Sequence, residues 1–344
     1  MKIDEQLVKF EAVLLLRKAT GWDYRRITKV LSELGFSIPL GTVRHYLYRN
    51  GSPRYISPLI KSLFYHNACK LALKLKEENP EWGCEKIKVE IKRRLGIWVP
   101  TTTIYHWITE GRKPNITPLK IHPELGYVVG TLMSDCMKST YVVLEVRDRD
   151  YAESFTHALS TVTGREYKVR EKGGYYIVKT EGATLRYIAR NKLWKVVAYA
   201  YPKQFLQGLF DGDGGVGVGV RVSSRPGFIV QLTLINSDLK LLEFVKKLLK
   251  GLGIESTISL QRKCGTKTTI CGRECTINRD CWRLIICRQE SIIKFYKYIG
   301  FRIQRKQEVL RDAIEVLQRY RSNRDRVRAW KKIYVKRNGR WVKK

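Results

Sequence analysis

The chain has 344 residues and carries 66 Lys and Arg against 32 Asp and Glu, a net charge of +34. At 44% hydrophobic residues it can bury real cores, which excludes a disordered or fibrous chain, and its length accommodates two or three domains. A surplus this large destabilises a compact chain unless an anionic partner meets it, and a nucleic acid is the usual partner.

The start, Met1-Lys2-Ile3-Asp4-Glu5, places acids where an export signal needs a basic region, and the apolar run Ala12 to Leu16 is too short for one. No stretch approaches the ~20 apolar residues of a membrane span. Eight cysteines in this length lack the density of a secreted scaffold. The expected location is the cytoplasm, associated with the nucleoid if the cell is prokaryotic, with no membrane partner.

The first organised region is a repeat. LGFSIPLGTVRHYLYRNGSP (34–53) lies without a gap on LGIWVPTTTIYHWITEGRKP (95–114): Leu34 on Leu95, Gly35 on Gly96, Pro39 on Pro100, His45 on His106, Tyr46 on Trp107. Upstream, Trp22 answers Trp82 and Ile27 answers Ile87. Ile27, Val30, Leu31 and Leu34 have helical spacing, and Leu34-Gly35 reads as a helix end followed by a left-handed glycine. A second helix is expected from Pro39, with Val43, Tyr46 and Leu47 inward. Helix, short connection, helix is the layout of a helix-turn-helix. Together with the Pro80–Gly83 start of the second copy, it resembles the helix-turn-helix domains of resolvases and insertion-element transposases. The outward residues Arg44, Tyr48 and Arg49, and Thr102, Tyr105 and His106, are candidate DNA contacts; the alternative is an αα-hairpin used only for packing. His45 and His106 read as surface or packing residues, not ligands. The units are expected at 1–58 and 59–118, closed by the proline-punctuated Lys113–Pro118.

The second repeat carries chemistry. LGYVVGTLMSDC (125–136) and FLQGLFDGDG (205–214) are apolar helical stretches with small residues every fourth position, Gly126 and Gly130, then Gly208 and Gly212. That spacing lines one helix face and permits close backbone approach. Each stretch then ends in an acid, Asp135 or Asp213, where the helix macrodipole disfavours negative charge. Two such ends together would repel unless cations sat between them. Carboxylate and backbone oxygens, here Asp135, Asp213, Ser134 and Gly212, form a hard-cation donor set suited to two or more Mg²⁺ ions.

At these residues the sequence resembles a single-chain, two-motif LAGLIDADG homing endonuclease. The motif copies are VVGTLMSDC (Val128–Cys136) and LQGLFDGDG (Leu206–Gly214). The second is a close match; the first has Met133 in place of an acid and Cys136 in place of glycine. Downstream, VRDRDYAESFTHALSTVTG (146–164) lies on INSDLKLLEFVKKLLKGLG (235–253), and Tyr176-Ile177-Val178 parallels Arg283-Leu284-Ile285. The resemblance covers about residues 122–318. It implies an α+β fold of duplicated αββαββα halves with pseudo-twofold symmetry, 119–202 and 203–318, preceded by the all-α tandem helix-turn-helix region. It also implies saddle-shaped sheets on double-stranded DNA, a monomer with an internal pseudo-dimer, and an intron- or intein-borne gene.

Val216, Val218, Val220 and Val222 alternate with Gly217, Gly219, Arg221 and Ser223, a period-2 strand. Ser224-Arg225-Pro226-Gly227 is expected as a type II turn, and Phe228–Ile235 as the returning strand. Arg221, Ser223, Arg225, Gln231 and Thr233 are the candidate base-reading residues, with a solvated sheet face as the alternative. In the first half, Asp135 to Val146 is half the span from Asp213 to Ile235, so its first hairpin must be short.

The reaction implied is hydrolysis of one phosphodiester per strand, with Mg²⁺ held by Asp135 and Asp213 and short 3′ overhangs. By position in IGFRIQRKQ, Lys306 matches the family's lysine before its last helix, and Lys195 is a looser counterpart. Both are catalytic candidates, with a solvated surface lysine as the alternative for each. A non-cleaving DNA-binding regulator or an RNA maturase on the same scaffold is the competing reading, and a transposase or integrase a weaker one.

Cys264, Cys271, Cys275 and Cys281 cluster in a hairpin insertion, open to a zinc knuckle, a disulfide or free thiols. Cys69, Cys84, Cys136 and Cys287 read as isolated packing thiols. The tail, 319–344, holds twelve Lys or Arg and one acid, with Trp330, Tyr334 and Trp341 interleaved. It is expected to grip phosphates or to remain a solvated terminus.

Overall fold

The computed structural model describes residues 5–48, 56–224, 226–270, 273–337 and 340–344. The chain divides into two compact units, Met1–Arg147 with Phe155–Phe205, and Asp148–Ser154 with Leu206–Lys344. Among the described residues no helix is long and apolar enough to cross a membrane.

The first unit opens with helices α1 (Glu5–Thr20), α2 (Tyr24–Glu33), α3 (Leu40–Tyr48), α4 (Pro58–Glu78), α5 (Cys84–Leu95) and α6 (Thr101–Thr109). Asp23 starts α2 by accepting from the Arg25 and Arg26 amides at 2.7 and 3.0 Å, a side-chain cap on otherwise orphan donors. Ile27, Val30, Leu31 and Leu34 are buried as their spacing requires. The expected left-handed glycines end both repeat copies, Gly35 at φ +86° and Gly96 at φ +70°.

The sequence repeat showed only two helices per copy, and the structure sets each pair on a longer third one. The aligned aromatics reveal the equivalence. Tyr46 meets Phe10 of α1 edge-on at 5.3 Å, and Trp107 meets Tyr65 of α4 edge-on at 5.4 Å. Ala68, Ala72, Leu75, Ile87, Ile91 and Ile104 complete the second core.

The first αββαββα half follows in the same unit, except for the start of α8, which falls in the second: α7 (Pro123–Met133), β1 (Met137–Lys138), β2 (Tyr141–Val146), α8 (Arg149–Thr163), β3 (Arg170–Lys172), β4 (Tyr175–Glu181), α9 (Ala183–Arg190) and α10 (Leu193–Ala200). Its sheet is antiparallel, in the order β1-β2-β4-β3. The first hairpin is as short as its sequence span demanded. The proline-punctuated link does not separate this half from the helices. Leu119 N donates to Ser62 O at 2.9 Å and Lys120 N to Val162 O at 2.6 Å. Ser62 and Thr184 hydroxyls bond at 2.6 Å, and Tyr187 donates to buried Glu11 at 2.7 Å. Buried polar bonds of this kind tie α1 and α4 to α9, so the expected boundary at residue 118 runs through a packed unit.

The second unit contains most of α11 (Pro202–Asp213), then β5 (Gly214–Arg221), β6 (Gly227–Asn236), α12 (Leu239–Gly251), β7 (Thr257–Arg262), β8 (Lys267–Ile270), β9 (Arg273–Thr276), β10 (Cys281–Ile286), α13 (Gln289–Tyr298) and α14 (Gln304–Arg319). The sheet order β5-β6-β10-β7 repeats that of the first half, and β8-β9 form a separate ribbon.

Strand pairing corrects the internal alignment by one residue. The register extends Cys136 opposite Leu144, while Gly214 sits opposite Leu234; Leu144 pairs with Val178 and Leu234 with Leu284. Leu144, Val178, Leu234 and Leu284 are all fully buried. Leu144 therefore answers Leu234 and Val178 answers Leu284, one place away from the pairing read in the sequence. The helices agree: Tyr151, Ala152, Phe155 and Leu159 in α8 are buried where Leu241, Leu242, Val245 and Leu249 are in α12. The terminators Gly164 and Gly253, both left-handed, misled the ungapped comparison because α8 and α12 approach them with different lengths. A one-residue slip would have turned every strand side chain to the wrong face.

The basic segment after residue 319 is folded. It forms α15 (Asn323–Ile333), β11 (Tyr334–Arg337) and β12 (Arg340–Lys343). Its aromatics are a core, not an interleaved surface. Trp330 is fully buried, stacks on Tyr334 at 4.2 Å and 13°, and meets Trp341 and Phe228 at 6.1 and 5.7 Å.

Candidate active site and nucleic-acid interface

The second motif passes from helix to strand with no loop. Asp213 ends α11 and Gly214 begins β5. A Cβ on Gly214 would lie 2.5 Å from the Phe210 carbonyl oxygen, so only glycine permits this junction. The terminal carbonyls of α11 are orphan acceptors at the negative end of the helix dipole. Lys306, buried in the first turn of α14, answers them: its Nζ donates to Phe210 O at 3.2 Å, to Gly214 O at 2.7 Å, and to Asp211 O. Lys306 is therefore not the solvated surface lysine that stood as the alternative to a catalytic one.

The first acid of the motif, Asp211, is 1% exposed and serves the opposite helix end. Its carboxylate accepts from the Arg302 amide at 3.1 and 3.2 Å and from the Ile303 amide at 3.4 Å, at the start of α14. Asp150 accepts from Gln304 N at 2.5 Å, and Asp148 takes the Arg305 guanidinium at two points, 2.6 and 2.7 Å. That guanidinium bond holds the Asp148 carboxyl below its ordinary range against the opposing effect of burial.

Asp213 itself is half-buried, and Asn236 Nδ2 donates to its Oδ2 at 2.6 Å. Asn236 Oδ1 accepts from Asp238 N at 2.8 Å, which fixes the amide orientation. The sequence reading missed Asn236; its only signal was a polar residue ending an apolar strand.

The first motif is built differently. α7 ends at Met133, not at its acid, and Asp135 lies two residues beyond, exposed, with its amide on Thr131 O at 3.2 Å. Ser134 turns back to the Thr131 and Gly130 carbonyls at 3.1 and 3.3 Å. Met133 stands where Asp211 caps α14, and the corrected register puts Val146 where Asn236 stands. Lys195 is the third residue of α10, as Lys306 is of α14; it is half-buried, 5.8 Å from the Trp194 ring. Gly126 meets its expected role, since a Cβ there would lie 2.9 Å from Tyr201 Cβ and O.

In the second half, Arg221, Gln231 and Thr233 of the expected base-reading residues share one face of the sheet. Register places Arg221, Gly219, Gly217 and Gly215 beside Gly227, Ile229, Gln231 and Thr233, with Ile285 and Arg283 following on β10. Arg221 is exposed, Gln231 and Thr233 are half-buried, and the valines Val216, Val218 and Val220 take the other face. Arg283 was not foreseen as a site residue; it stands on the open face, and its buried Nε has no partner among the described residues. Ser223 and exposed Val222 lie beyond β5. Gly227 pairs with Arg221 as the first residue of β6 and has no positive φ, so the expected type II turn centred on Pro226-Gly227 does not form.

The first-half open face is more acidic. Tyr141 pairs with Glu181, Val143 with Lys179 and Glu145 with Ile177. Lys179 lies 3.7 Å over the Tyr141 ring.

On the N-terminal helices, Arg44 and Thr102 are exposed, and Tyr48 and Tyr105 are among the exposed large side chains. His106 is half-buried and bonded to Glu110 at 2.7 Å. Arg49, Arg225 and Cys271 lie outside the described residues. Cys264 is exposed, while Cys275 and Cys281 are half-buried, and Cys275 Sγ donates to Thr268 O at 3.5 Å. Among the described residues no three His, Cys, Asp or Glu side chains gather as metal donors, and zinc finds no support. Cys69 and Cys136 are buried packing thiols as expected, whereas Cys287 is exposed.

The family model described as LAGLIDADG-like domain matches residues 200–300, the span of the second motif and its sheet. That span of the chain belongs to the LAGLIDADG family. It is 30% identical over 265 residues to Uncharacterized protein MJ0398 of Methanocaldococcus jannaschii, a match covering 72% of this chain and 92% of that protein. Among solved structures, I-DmoI in complex with DNA and Mn is 18% identical over 52% of this chain and 96% of that one, with a TM-score of 0.35. A mutant of I-SmaMI is 14% identical over 62% of this chain and 96% of that one, with a TM-score of 0.38.

Proposed function

We propose that this chain is a site-specific double-strand DNA endonuclease of the homing type, hydrolysing one phosphodiester per strand. The observation that carries the reading is Asp213: a carboxylate set at the carbonyl end of a helix, oriented by Asn236, beside a helix end that Lys306 has already neutralised. The helix dipole disfavours a negative group in that place, and a carboxylate so placed suits a bound cation. Each half offers hard donors, the Asp135 carboxylate with a Ser134 backbone oxygen in one and the Asp213 carboxylate with a Gly212 backbone oxygen in the other, a chemistry that fits Mg²⁺. When bound, such ions activate water and stabilise charge on the leaving oxygen. Asn236 keeps Asp213 in one orientation, and Lys306 keeps the helix end from fraying. Lys195 has the equivalent helical position in the first half.

Arg221, Gln231, Thr233 and Arg283 would meet base edges in a groove, where Arg suits guanine and Gln suits adenine. The helix pairs, through Arg44, Tyr48, Thr102 and Tyr105, would extend the grip in the manner of a helix-turn-helix. The chain would act as a monomer on DNA in the cytoplasm, encoded within an intron or intein-like element.

One observation favours a second reading, a non-cleaving DNA-binding regulator or RNA maturase: the first motif lacks the Asp211 and Asn236 counterparts. Incubation with a plasmid carrying the uninterrupted form of the gene's own insertion point decides between them. Linearisation that requires Mg²⁺ and disappears in Asp213→Asn supports the nuclease. Tight binding of intact plasmid by the wild type would sink it.

A further inference from the structure

The folded C-terminal module has acids fully engaged by the fold and cations left to solvent. In residues 319–344 the one acid, Asp325, caps α15 with Ser322, whose hydroxyl donates to the Asp325 carboxylate at 2.6 Å and accepts from its amide at 3.1 Å. Asp312 of α14, 6% exposed, takes the Tyr334 hydroxyl at 2.8 Å and Lys343 at 3.3 Å. Arg326 is also structural, closing α14 by donating to Tyr320 O at 2.8 Å and Leu317 O at 3.1 Å. Beside exposed Arg321, Arg324 and Arg328, the cations Lys331, Lys332, Lys336 and Arg337 remain on α15 and β11. They are exposed and have no acidic partner among the described residues.

The N-terminal helices treat their charges otherwise. Lys9 pairs with Glu5, Lys74 with Glu78, Lys88 with Glu85, and Arg93 and Arg94 with Glu90, all within one helical turn. Residues 319–344, with twelve Lys or Arg and one acid, hold a dense share of the surplus.

The module is also fixed in place. Trp341 Nε1 donates to Val218 O at 2.7 Å on β5, which has one strand partner, β6, so the hairpin β11-β12 covers the free edge of the sheet. Lys336 and Trp341 line a crevice with Gly217, Gly219 and Arg305. Edge coverage alone needs only the tryptophan and the backbone, and does not account for four unpaired cations beside it.

The structure assigns this α15–β11–β12 module to the phosphate backbone of duplex DNA, as a rigid electrostatic clamp adjoining the β5 edge of the base-reading sheet. The assignment rests on the DNA-binding reading above but not on cleavage. Four cations preplaced on a packed helix and hairpin cost little backbone entropy to order on binding, unlike a flexible basic tail. Contacts of this kind confer affinity and salt dependence without sequence preference.

The test is binding of a labelled random-sequence DNA duplex by the full chain across a series of KCl concentrations, without Mg²⁺. Each phosphate contact contributes about 0.9 to the slope of log K against log salt. The quadruple variant Lys331→Gln, Lys332→Gln, Lys336→Gln, Arg337→Gln is expected to lower that slope by roughly 2–4 and weaken low-salt binding on the order of 100-fold. Near-UV circular dichroism of the Trp330–Tyr334 stack verifies that the variant keeps its fold, and Lys331→Gln, Lys332→Gln alone should give about half the slope change. An unchanged slope in a folded variant overturns the clamp, as does a change seen on duplex RNA but not on DNA. A wild type that binds no DNA duplex at all overturns the DNA-binding reading itself.

Discussion

Asp211 and Lys306 cap each other's helices. The carboxylate from the end of α11 accepts the amides that open α14, and the ammonium from the first turn of α14 accepts no bond but donates to the carbonyls that close α11. Opposite charges thus sit on opposite dipole ends, and both are buried. Removing one partner strands the other. Lys306→Met should lower stability by about 2–4 kcal/mol, because buried carbonyls and Asp211 lose their counterpart. Lys306→Arg should recover little, since a planar fork does not fit a site shaped for a point charge. Urea unfolding of the two variants measures both; a loss under half a kilocalorie in Lys306→Met would refute the reciprocal cap.

Asn236 orients Asp213 without itself being a carboxylate. Asn236→Ala should leave the fold unchanged and weaken metal affinity or cleavage by about 10–100-fold, the usual effect of removing a residue behind a metal ligand. The readout is the Mg²⁺ concentration for half-maximal cleavage, compared with Val146→Ala in the first half. A pronounced effect from Asn236→Ala and none from Val146→Ala is expected, because Val146 offers no hydrogen bond.

The two motifs were legible because each compresses helix, small-residue face and terminal acid into nine residues. The helical pairs were legible for the same reason: periodicity and glycine terminators are local signals. What lay hidden was long-range. Neither α1 nor α4 carries a mark of the pair it supports, and nothing near Lys306 in sequence identifies the carbonyls of Phe210 and Gly214 as its partners. The internal alignment slipped because two conspicuous glycines were matched, while register is decided by which side chains face the core, as Leu144 and Leu234 do.

Trp330 shows how composition can mislead. Twelve cations in the last 26 residues suggested a phosphate-gripping segment or a solvated terminus, and gave no sign of the core that three aromatics close there. Trp330→Ala should cost about 3–5 kcal/mol locally, melting the hairpin and uncovering β5. Hydrogen exchange of the β5 amides should accelerate in that variant while α1 and α4 amides stay protected.

Glu11 makes the first unit pH-sensitive. It is fully buried on α1, held by hydroxyl donors from Ser57 at the start of α4 and Tyr187 on α9, with no ion pair to a cation among the described residues. Burial pushes its carboxyl up to about 7, only partly offset by those two bonds. An acid whose folded value lies above its unfolded value near 4.5 binds more protons when folded. Its contribution is therefore intact below about pH 4.5, declines between there and about 7, and is fully lost above. At about 1.4 kcal/mol per unit the difference is on the order of 3 kcal/mol. Glu11→Gln keeps an acceptor for one hydroxyl, offers its amide N–H to the other and carries no charge, so its stability should fall less than that of wild type between pH 5 and pH 8. Thermal unfolding of both proteins at the two pH values tests this: parallel losses would mean that Glu11 does not titrate in the folded unit, and a flatter variant would identify it as the group that does.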